Sequence, residues 1–495
     1  MDAEQPGTDL VRVRTGVYHD SVSLMRVSRA AGALPGVEVA VVAMATGLNL
    51  GIAAELGFTL PDAGPGDLLV ALRAADRAAA DRAAAEVDGL LEALASRTAG
   101  GTGAEEPPRT VRAAARAAGG TATLALVSVP GPHAFAEAMD AVEAGLSVMV
   151  FSDNVPVEQE VLLKRRAAER GVLVMGPDCG TAVVGGAGLG FANVLRPGPV
   201  GVVAASGTGA QQVTCLLDLA GVGVSHVLGV GGRDLSAEVG GLSALRALGA
   251  LDADPATELI VLVSKPPAPG VARAVRRAAE GLATPVVTAF LGRSPDDDGG
   301  DGDGGDGDGD GPGDLTSAAE AALRALGAEV PEWPAWPAAG APRAAEPAPR
   351  RDGGRVRALH GIYSGGTLRT EAELVAGTGT FTDYGDDAYT RGRAHPMIDP
   401  SLRLEALAAV PPGDVVLLDV VLGHGADPDP AERLAPAVAA AAARGTAAVV
   451  ALVGSEGDPQ GLTAQAEALR AAGADVFASN ARAARRAARL AGGAR

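Results

Sequence analysis

The chain has 495 residues, 47% of them hydrophobic but only 3% aromatic, with a formal net charge of −19. That length accommodates about three domains, and their cores must be packed from Ala, Val and Leu, a pattern that suits α/β domains with buried parallel strands. An acidic chain with no basic stripe is a poor binder of nucleic acid or membrane surfaces, no apolar stretch approaches a membrane span, and charges stand where a signal peptide needs its apolar core, so a cytoplasmic protein is expected.

Residues 1–108 alternate strand and helix patterns: a strand over 11–17, a helix over 20–33, a strand over 37–45, a helix over 48–57, a strand over 68–73 and a long Ala-rich helix over 74–96. A Gly/Pro-rich stretch over 100–108 closes this small α/β domain. Residues 109–196 read as strand, helix, strand, helix, strand (123–130, 133–144, 147–151, 158–171, 172–176), the alternation of a parallel Rossmann-type sheet. Its first turn, Pro130-Gly131-Pro132, is not GxGxxG and gives little support for a dinucleotide.

Residues 197–295 form a third unit and 355–495 a fourth, separated by residues 296–354. The separating segment opens with the Asp/Gly tract 296–314, whose nine aspartates supply nearly half of the net charge. Such a tract cannot bury enough apolar surface to order itself, and it lacks the regular large apolar residues of a calcium-binding β-roll, so it reads as a solvated linker. A helix over 315–326 and a Pro/Ala linker over 333–349 follow.

The third and fourth units share an outline. Strand 200–204 leads into Ser206-Gly207-Thr208-Gly209 and a helix, and strand 355–362 leads into Ser364-Gly365-Gly366-Thr367 and a helix, 158 residues later. A GGRD turn and the strand ending at Ser264-Lys265-Pro266-Pro267 in one unit answer a DYGDD turn, HPMIDP and the strand ending at Gly423-His424-Gly425 in the other, which points to duplication. A strand that ends in Ser, Gly and Thr and enters a helix leaves backbone N–H groups unpaired, with the positive end of the helix dipole behind them. Two such ends facing each other would hold a phosphate or acyl phosphate, against the alternative of ordinary N-capping.

Other residues carry paired readings. Gly231, Gly232 and Arg233 suit a carboxylate or phosphate oxygen or else a surface turn, and Lys265 precedes two prolines at the strand end where ligands bind in open α/β sheets, or is an exposed structural lysine. His395 and Asp399 are a candidate proton-handling pair or a hydrogen-bonded loop anchor. His424 lies between glycines that permit close backbone approach to a ligand. Cys179 reads as a small buried hydrophobe, and with Cys215 it makes neither a disulfide framework nor a zinc spacing; no metal is expected.

The stretches HDSVSLM, VMVFSDNVPVEQE, VMGPDCGT, FANV, ASGTGAQQ, GVGGRDLSAEVGG, VSKPPA, LHGIYSGGTL, RAHPMIDPSLR and LLDVVLGHGA together resemble the FdrA family, related to the acyl-CoA synthetase superfamily that includes succinyl-CoA synthetase. The resemblance implies an α/β fold built from a small N-terminal domain, a Rossmann-type CoA-binding-like domain and two flavodoxin-like domains, the last similar to the carboxyl-terminal domain of the synthetase β subunit. It also implies that SGTG and SGGT are the paired helix tips that grip a phosphoryl group, with CoA as a possible cofactor and no other implied with certainty. Two departures stand out: Gly292-Arg293-Ser294 follows the strand matched by 285–291 where the synthetases carry a phosphorylated histidine, and no segment resembles an ATP-grasp domain. Some FdrA-like proteins are subunits of oxamate carbamoyltransferase, which converts oxalurate and phosphate to oxamate and carbamoyl phosphate. The leading expectation is therefore a subunit of such a carbamoyl- or acyl-phosphate transferase, with other protein subunits as partners. The alternatives are an acyl-CoA synthetase component acting with a separate ATP-grasp subunit and a non-catalytic metabolite-binding scaffold.

Overall fold

The computed structural model describes residues 7–17, 19, 21–98, 108, 110–292, 313–338, 357–390 and 393–492. Most of the Asp/Gly tract, most of the Gly/Pro stretch over 100–108 and most of the Pro/Ala linker lie outside the described residues. The chain divides into two compact units, Met1–Arg109 with Arg391–Ala394, and Thr110–Thr390 with His395–Arg495.

The first unit contains β1 (Thr8–Arg14), α1 (Ser21–Gly32), β2 (Val37–Met44), α2 (Gly47–Glu55), β3 (Leu68–Ala74) and α3 (Arg77–Thr98). β3 lies between β1 and β2 and is antiparallel to both, so β1-α1-β2 is a split βαβ unit. The central strand is apolar on both faces because both are covered: Leu68, Val70 and Leu72 pack with Leu24 and Val87, while Leu69 and Ala71 pack with Ala53 and Phe58.

The second unit begins with α4 (Val111–Ala117), β4 (Leu124–Val127), α5 (Gly131–Glu143), β5 (Ser147–Val150), α6 (Val157–Arg170) and β6 (Val174–Met175), whose strands form a parallel sheet in the order β4-β5-β6. Next come β7 (Thr181–Val184), β8 (Ala187–Gly190), β9 (Pro197–Ala204), α7 (Gly207–Leu219), β10 (Val224–Gly229), α8 (Leu242–Asp252), β11 (Leu259–Ser264), α9 (Pro269–Glu280) and β12 (Val286–Phe290). They build a six-stranded sheet, β12-β11-β9-β10-β7-β8. The sheets cut the chain differently from the sequence boundary at 196/197: the β7–β8 hairpin leaves the Rossmann-type layer, and β7 pairs antiparallel with β10 through Val183 and Val227.

The remaining elements are α10 (Leu315–Ala325), β13 (Ala335–Trp336), β14 (Leu359–Tyr363), α11 (Gly366–Ala376), β15 (Thr380–Asp383), α12 (Asp387–Thr390), α13 (Ser401–Ala409), β16 (Val415–Val421), α14 (Pro430–Ala443), β17 (Ala447–Val453), α15 (Leu462–Ala471), β18 (Ala474–Phe477) and α16 (Asn480–Ala491). Their sheet runs β13-β18-β17-β16-β14-β15. The described part of the segment expected as a linker is structured. α10 is capped by Asp314, whose carboxylate accepts from Ser317 N at 2.7 Å, and lies against β11, β12 and α16. Trp333 is buried and donates to Glu320 at 3.0 Å, and β13 pairs antiparallel with β18.

The parallel strands of the two large sheets have the same spatial order. Numbered within each repeat they read 4-3-1-2 and 5-4-3-1-2, the doubly wound flavodoxin-like arrangement. The chain reverses direction between the first and third strands, β9/β11 in one sheet and β14/β16 in the other, which opens a crevice at their carboxyl ends. Among the described residues no helix is long and apolar enough to cross a membrane.

Candidate functional site

Both crevices lead to the start of a helix. β9 passes through Ser206 into α7, and the Ser206 Oγ caps the helix by accepting from Gly209 N at 2.9 Å. β14 passes into α11 one residue differently: Gly365 occupies the cap position with no side-chain cap, while Ser364 is held behind it, its N–H donating to Asp419 at 2.8 Å and its hydroxyl to both carboxylate oxygens at 3.0 Å. Asp419 is itself paired with Arg403 at 2.9 Å, and both are buried.

The two tips meet. Ser206 Oγ donates to Thr367 Oγ1 at 2.6 Å. A Cβ on Gly365 would stand 2.6 Å from Thr208 Cγ2, and one on Gly209 would stand 3.0 Å from Thr367 Cγ2, so glycine at these positions permits the close approach. Ser206, Gly209, Ser364, Gly365 and Thr367 are buried in this contact, whereas Gly207, Thr208 and Gly366 remain partly accessible. Among the described residues, no acceptor meets the amide N–H groups of Gly207, Thr208 or Gly366.

Charged side chains lie beside the last of these, Gly366. Lys265, exposed at the carboxyl end of β11, places Nζ 3.1 Å from where a Gly366 Cβ would be, and has no ion-pair partner among the described residues. Asp383 ends β15: one carboxylate oxygen accepts from Gly385 N at 2.9 Å and the other lies 2.7 Å from the same Gly366 position. Burial pushes Asp383 up to about 6, reinforced by the charges of Asp419 and Asp386 and opposed by the Gly385 hydrogen bond and Lys265. Asp178, in the β6–β7 loop with φ 56, keeps exposed surface although its carboxyl is closely surrounded. Its carboxyl is raised by that crowding first and then by Asp153 and Asp387, against Lys265 and Arg233.

Arg233, selected from the sequence, is engaged elsewhere. The Arg233 guanidinium pairs with Glu160 at 2.9 Å and donates to Val155 O at 2.8 Å. Glu160 in turn binds buried Lys164 at 2.7 Å, and Lys164 also binds Asp234 at 2.7 Å, whose carboxylate caps α8 through Ser243 N and Ala244 N. This ionic network fixes the Gly231-Gly232 turn; Gly231, with φ 90, packs on Pro177 O, and Gly232 is exposed near Asp178.

The expected His395–Asp399 pair is not formed. Asp399 accepts from Ser401 Oγ at 2.6 Å and from Arg433 at 2.8 Å, and these bonds outweigh burial and hold its carboxyl below the usual range. His395 Nδ1 accepts from Met397 N at 3.3 Å, which assigns the proton of the neutral ring to Nε2. Burial, aided by the Arg403 charge, pulls His395 down to about 4, so it is neutral near pH 7. The ring lies beside the second tip, its Nε2 2.7 Å from where a Gly385 Cβ would be. What links the two residues is the helical turn from Asp399 N to His395 O, at 3.0 Å.

The backbone of His424 approaches protein rather than open space. Its N–H donates to Ala192 O at 2.8 Å and its carbonyl accepts from Ala192 N at 3.3 Å, with Gly423 at φ 113 making room. Asn193 extends this clamp by donating to Leu422 O at 3.0 Å and Asp458 at 2.7 Å, and Val194 N donates to Asp458 at 2.7 Å. The His424 side chain itself is exposed. Cys179 is buried, and burial pushes its thiol up to about 12.

The geometry therefore gathers Gly207, Thr208, Gly366 and Lys265, adds Asp383 and Asp178, and leaves the Arg233 and Asp399 side chains and the His424 backbone engaged with protein. The two aspartates were within VMGPDCGT and DYGDD, but a single acid in a loop has no periodicity to mark it.

The fold is mixed α/β, with parallel-sheet domains of the CoA-ligase-like kind. Residues 362–490, which include the second tip, match the CoA-ligase family model, and residues 8–108 match a model described as AllF, heavy metal-associated domain. The chain is 36% identical to "Uncharacterized protein YahF" of Escherichia coli (strain K12) over 94% of its own length and 96% of that protein's. It belongs to the same family as YahF, an FdrA and succinyl-CoA-synthetase-α-like family. Succinate–CoA ligase [ADP-forming] subunit alpha 2 of Archaeoglobus fulgidus is 32% identical over 29% of this chain, and malate–CoA ligase subunit alpha of Methylorubrum extorquens 28% identical over 37%; the chain spans 50% and 62% of those two proteins. The solved dinucleotide-forming acetyl-coenzyme A synthetase 1 of Ca. Korarchaeum cryptofilum, in complex with phosphate and ADP, is 16% identical, with a TM-score of 0.28 over 74% of this chain and 82% of its own. Residues 8–108 contain no cysteine and one histidine, His19, and among the described residues no three His, Cys, Asp or Glu side chains gather as a metal site; the residues present do not fit a soft heavy-metal ion.

Proposed function

We propose that the second compact unit binds phosphate or an acyl phosphate at the paired helix tips, as the CoA-ligase-like component of an acyl-CoA synthetase that acts with a separate ATP-grasp subunit. One observation carries this reading: the tips of α7 and α11 touch through Ser206 and Thr367 at 2.6 Å, beside the amides of Gly207, Thr208 and Gly366 and the Lys265 ammonium, none of which has a partner among the described residues. The three amides and the two helix dipoles supply donors to the anion, and Lys265 supplies a full charge. Such preorganised donors stabilise charge that develops on a transferring phosphoryl or acyl group. The match of residues 362–490 to the CoA-ligase model and the ligase α subunits among the relatives support this over carbamoyl transfer.

CoA itself is assigned no contact. At the β4–α5 turn, a Gly131 Cβ would collide with the carbonyls of Asp153 and Asn154, so the close approach that this glycine permits is made to protein. Carbamoyl transfer from oxalurate to phosphate remains a second reading, favoured by Gly292-Arg293-Ser294 after β12, where no histidine is available to carry a phosphoryl group.

Calorimetric titration of the full chain with inorganic phosphate and with acetyl phosphate tests the site. Lys265→Met is expected to weaken binding about tenfold, the loss of one unit charge in a half-exposed setting. Absence of binding by the unsubstituted chain refutes the reading. Adding an ATP-grasp subunit, ATP, CoA and carboxylic acids then separates thioester formation from oxamate production with oxalurate and phosphate.

A further inference from the structure

We propose that Asp383 is a proton-dependent ligand of the anion at the second tip, binding it as a carboxylic acid, so that filling the site takes up a proton. The inference rests on the paired tips being an anion site, and it follows from where the charges lie. Asp383 Oδ2 and Lys265 Nζ stand 2.7 and 3.1 Å from the same point over Gly366, the first residue of α11. An anion drawn to the Gly366 amide therefore meets a carboxyl group and a lysine together.

Charge counting around Asp383 decides which form of the carboxyl is compatible. From β16, Asp419 faces it, but that carboxylate is already satisfied by Arg403 of α13 and by Ser364. From the segment before α13, His395 contributes a neutral ring. Asp386 adds negative charge from the same loop, and Asp387 of α12 adds it on the Asp178 side. Lys265 from the β11–α9 loop is the one cation acting on both Asp383 and Asp178 that is free of an ion pair among the described residues. With both aspartates ionised, the mouth carries more negative than positive charge and repels a dianion.

Protonation of Asp383 removes that repulsion and converts an acceptor into an O–H donor at the position where the anion needs one. The other oxygen keeps its hydrogen bond from Gly385 N. The upward displacement of this carboxyl by burial makes the proton available near neutrality. The sign follows from linkage: the anion-bound state holds the proton more tightly, so affinity rises as pH falls through the free-state value.

Sulfate is the probe, because unlike phosphate it does not titrate near neutrality. Titrations of the full chain in two buffers of different ionisation enthalpy count the protons exchanged. Near pH 7 the unsubstituted chain is expected to take up roughly one proton per sulfate, with affinity falling up to about tenfold per pH unit above the free-state value. Asp383→Asn keeps an acceptor for Gly385 N; it should bind sulfate with that uptake removed and more tightly than the unsubstituted chain at about pH 8. Unchanged uptake in Asp383→Asn overturns the assignment, as does its disappearance in Asp178→Asn instead. Sulfate binding that is absent, or indifferent to Lys265→Met, overturns the anion site itself and this inference with it.

Discussion

Placing a carboxylate at the first tip separates anion binding from folding. Gly207 is the first residue of α7, and a Cβ there would meet only Thr181, at 3.4 Å from Oγ1 and 3.9 Å from Cβ, contacts that the hydroxyl can accommodate. Gly207→Asp removes a helical glycine, worth about 0.5–1 kcal/mol, and sets a negative charge where the helix dipole favours one, worth about 0.3–1 kcal/mol. The fold should gain about 1 kcal/mol. The same charge lies roughly 5 Å from a dianion resting on the tip, and at the high effective dielectric of a half-exposed site the repulsion is about 2–3 kcal/mol, or roughly 20- to 200-fold in dissociation constant. Calorimetry with sulfate and phosphate at fixed ionic strength, alongside thermal unfolding, reads both effects, with Gly207→Ala as the uncharged control. A dissociation constant within a factor of two of the unsubstituted chain, in a variant of undiminished stability, would refute the assignment of this tip.

Gly365→Ala puts a methyl group 2.6 Å from Thr208 Cγ2, so it should cost about 1–3 kcal/mol in denaturant unfolding, and Thr208→Gly in the same chain should recover part of that loss. Asp314→Ala removes both the cap of α10 and the partner of Arg485, and should cost about 1–2 kcal/mol by the same measurement. A deletion of the Asp/Gly tract that stops before Asp314 spares both contacts.

The strand and helix alternation, the two SG-type turns and the repeat of the flavodoxin-like outline were all legible, because each is a local pattern of apolar runs and turn residues. Ser206 reads as a cap and is one. The pairing of β7 with β10 was not legible, since Val183 and Val227 are ordinary strand valines whose partnership depends on how two layers stack. Nor was the fate of Trp333, one aromatic in a Pro/Ala stretch, or the links from Glu160 to Arg233 and from Lys164 to Asp234, which join residues far apart in sequence. His395 and Asp399 sit four apart in one motif, yet their side chains diverge because Ser401 and Arg433 claim the carboxylate. Asp178 and Asp383 gain their meaning only from Lys265, which reaches them from a third segment.

The hydroxyl contact between Ser206 and Thr367 is made within one polypeptide. Its formation constant is consequently indifferent to dilution: a joint that opens can reclose without waiting for a second molecule to arrive, because tethering keeps the local concentration of each side high at any protein level. Equilibrium sedimentation and phosphate affinity should then be independent of each other across a wide concentration range, and exchange of subunits cannot separate one tip from the other.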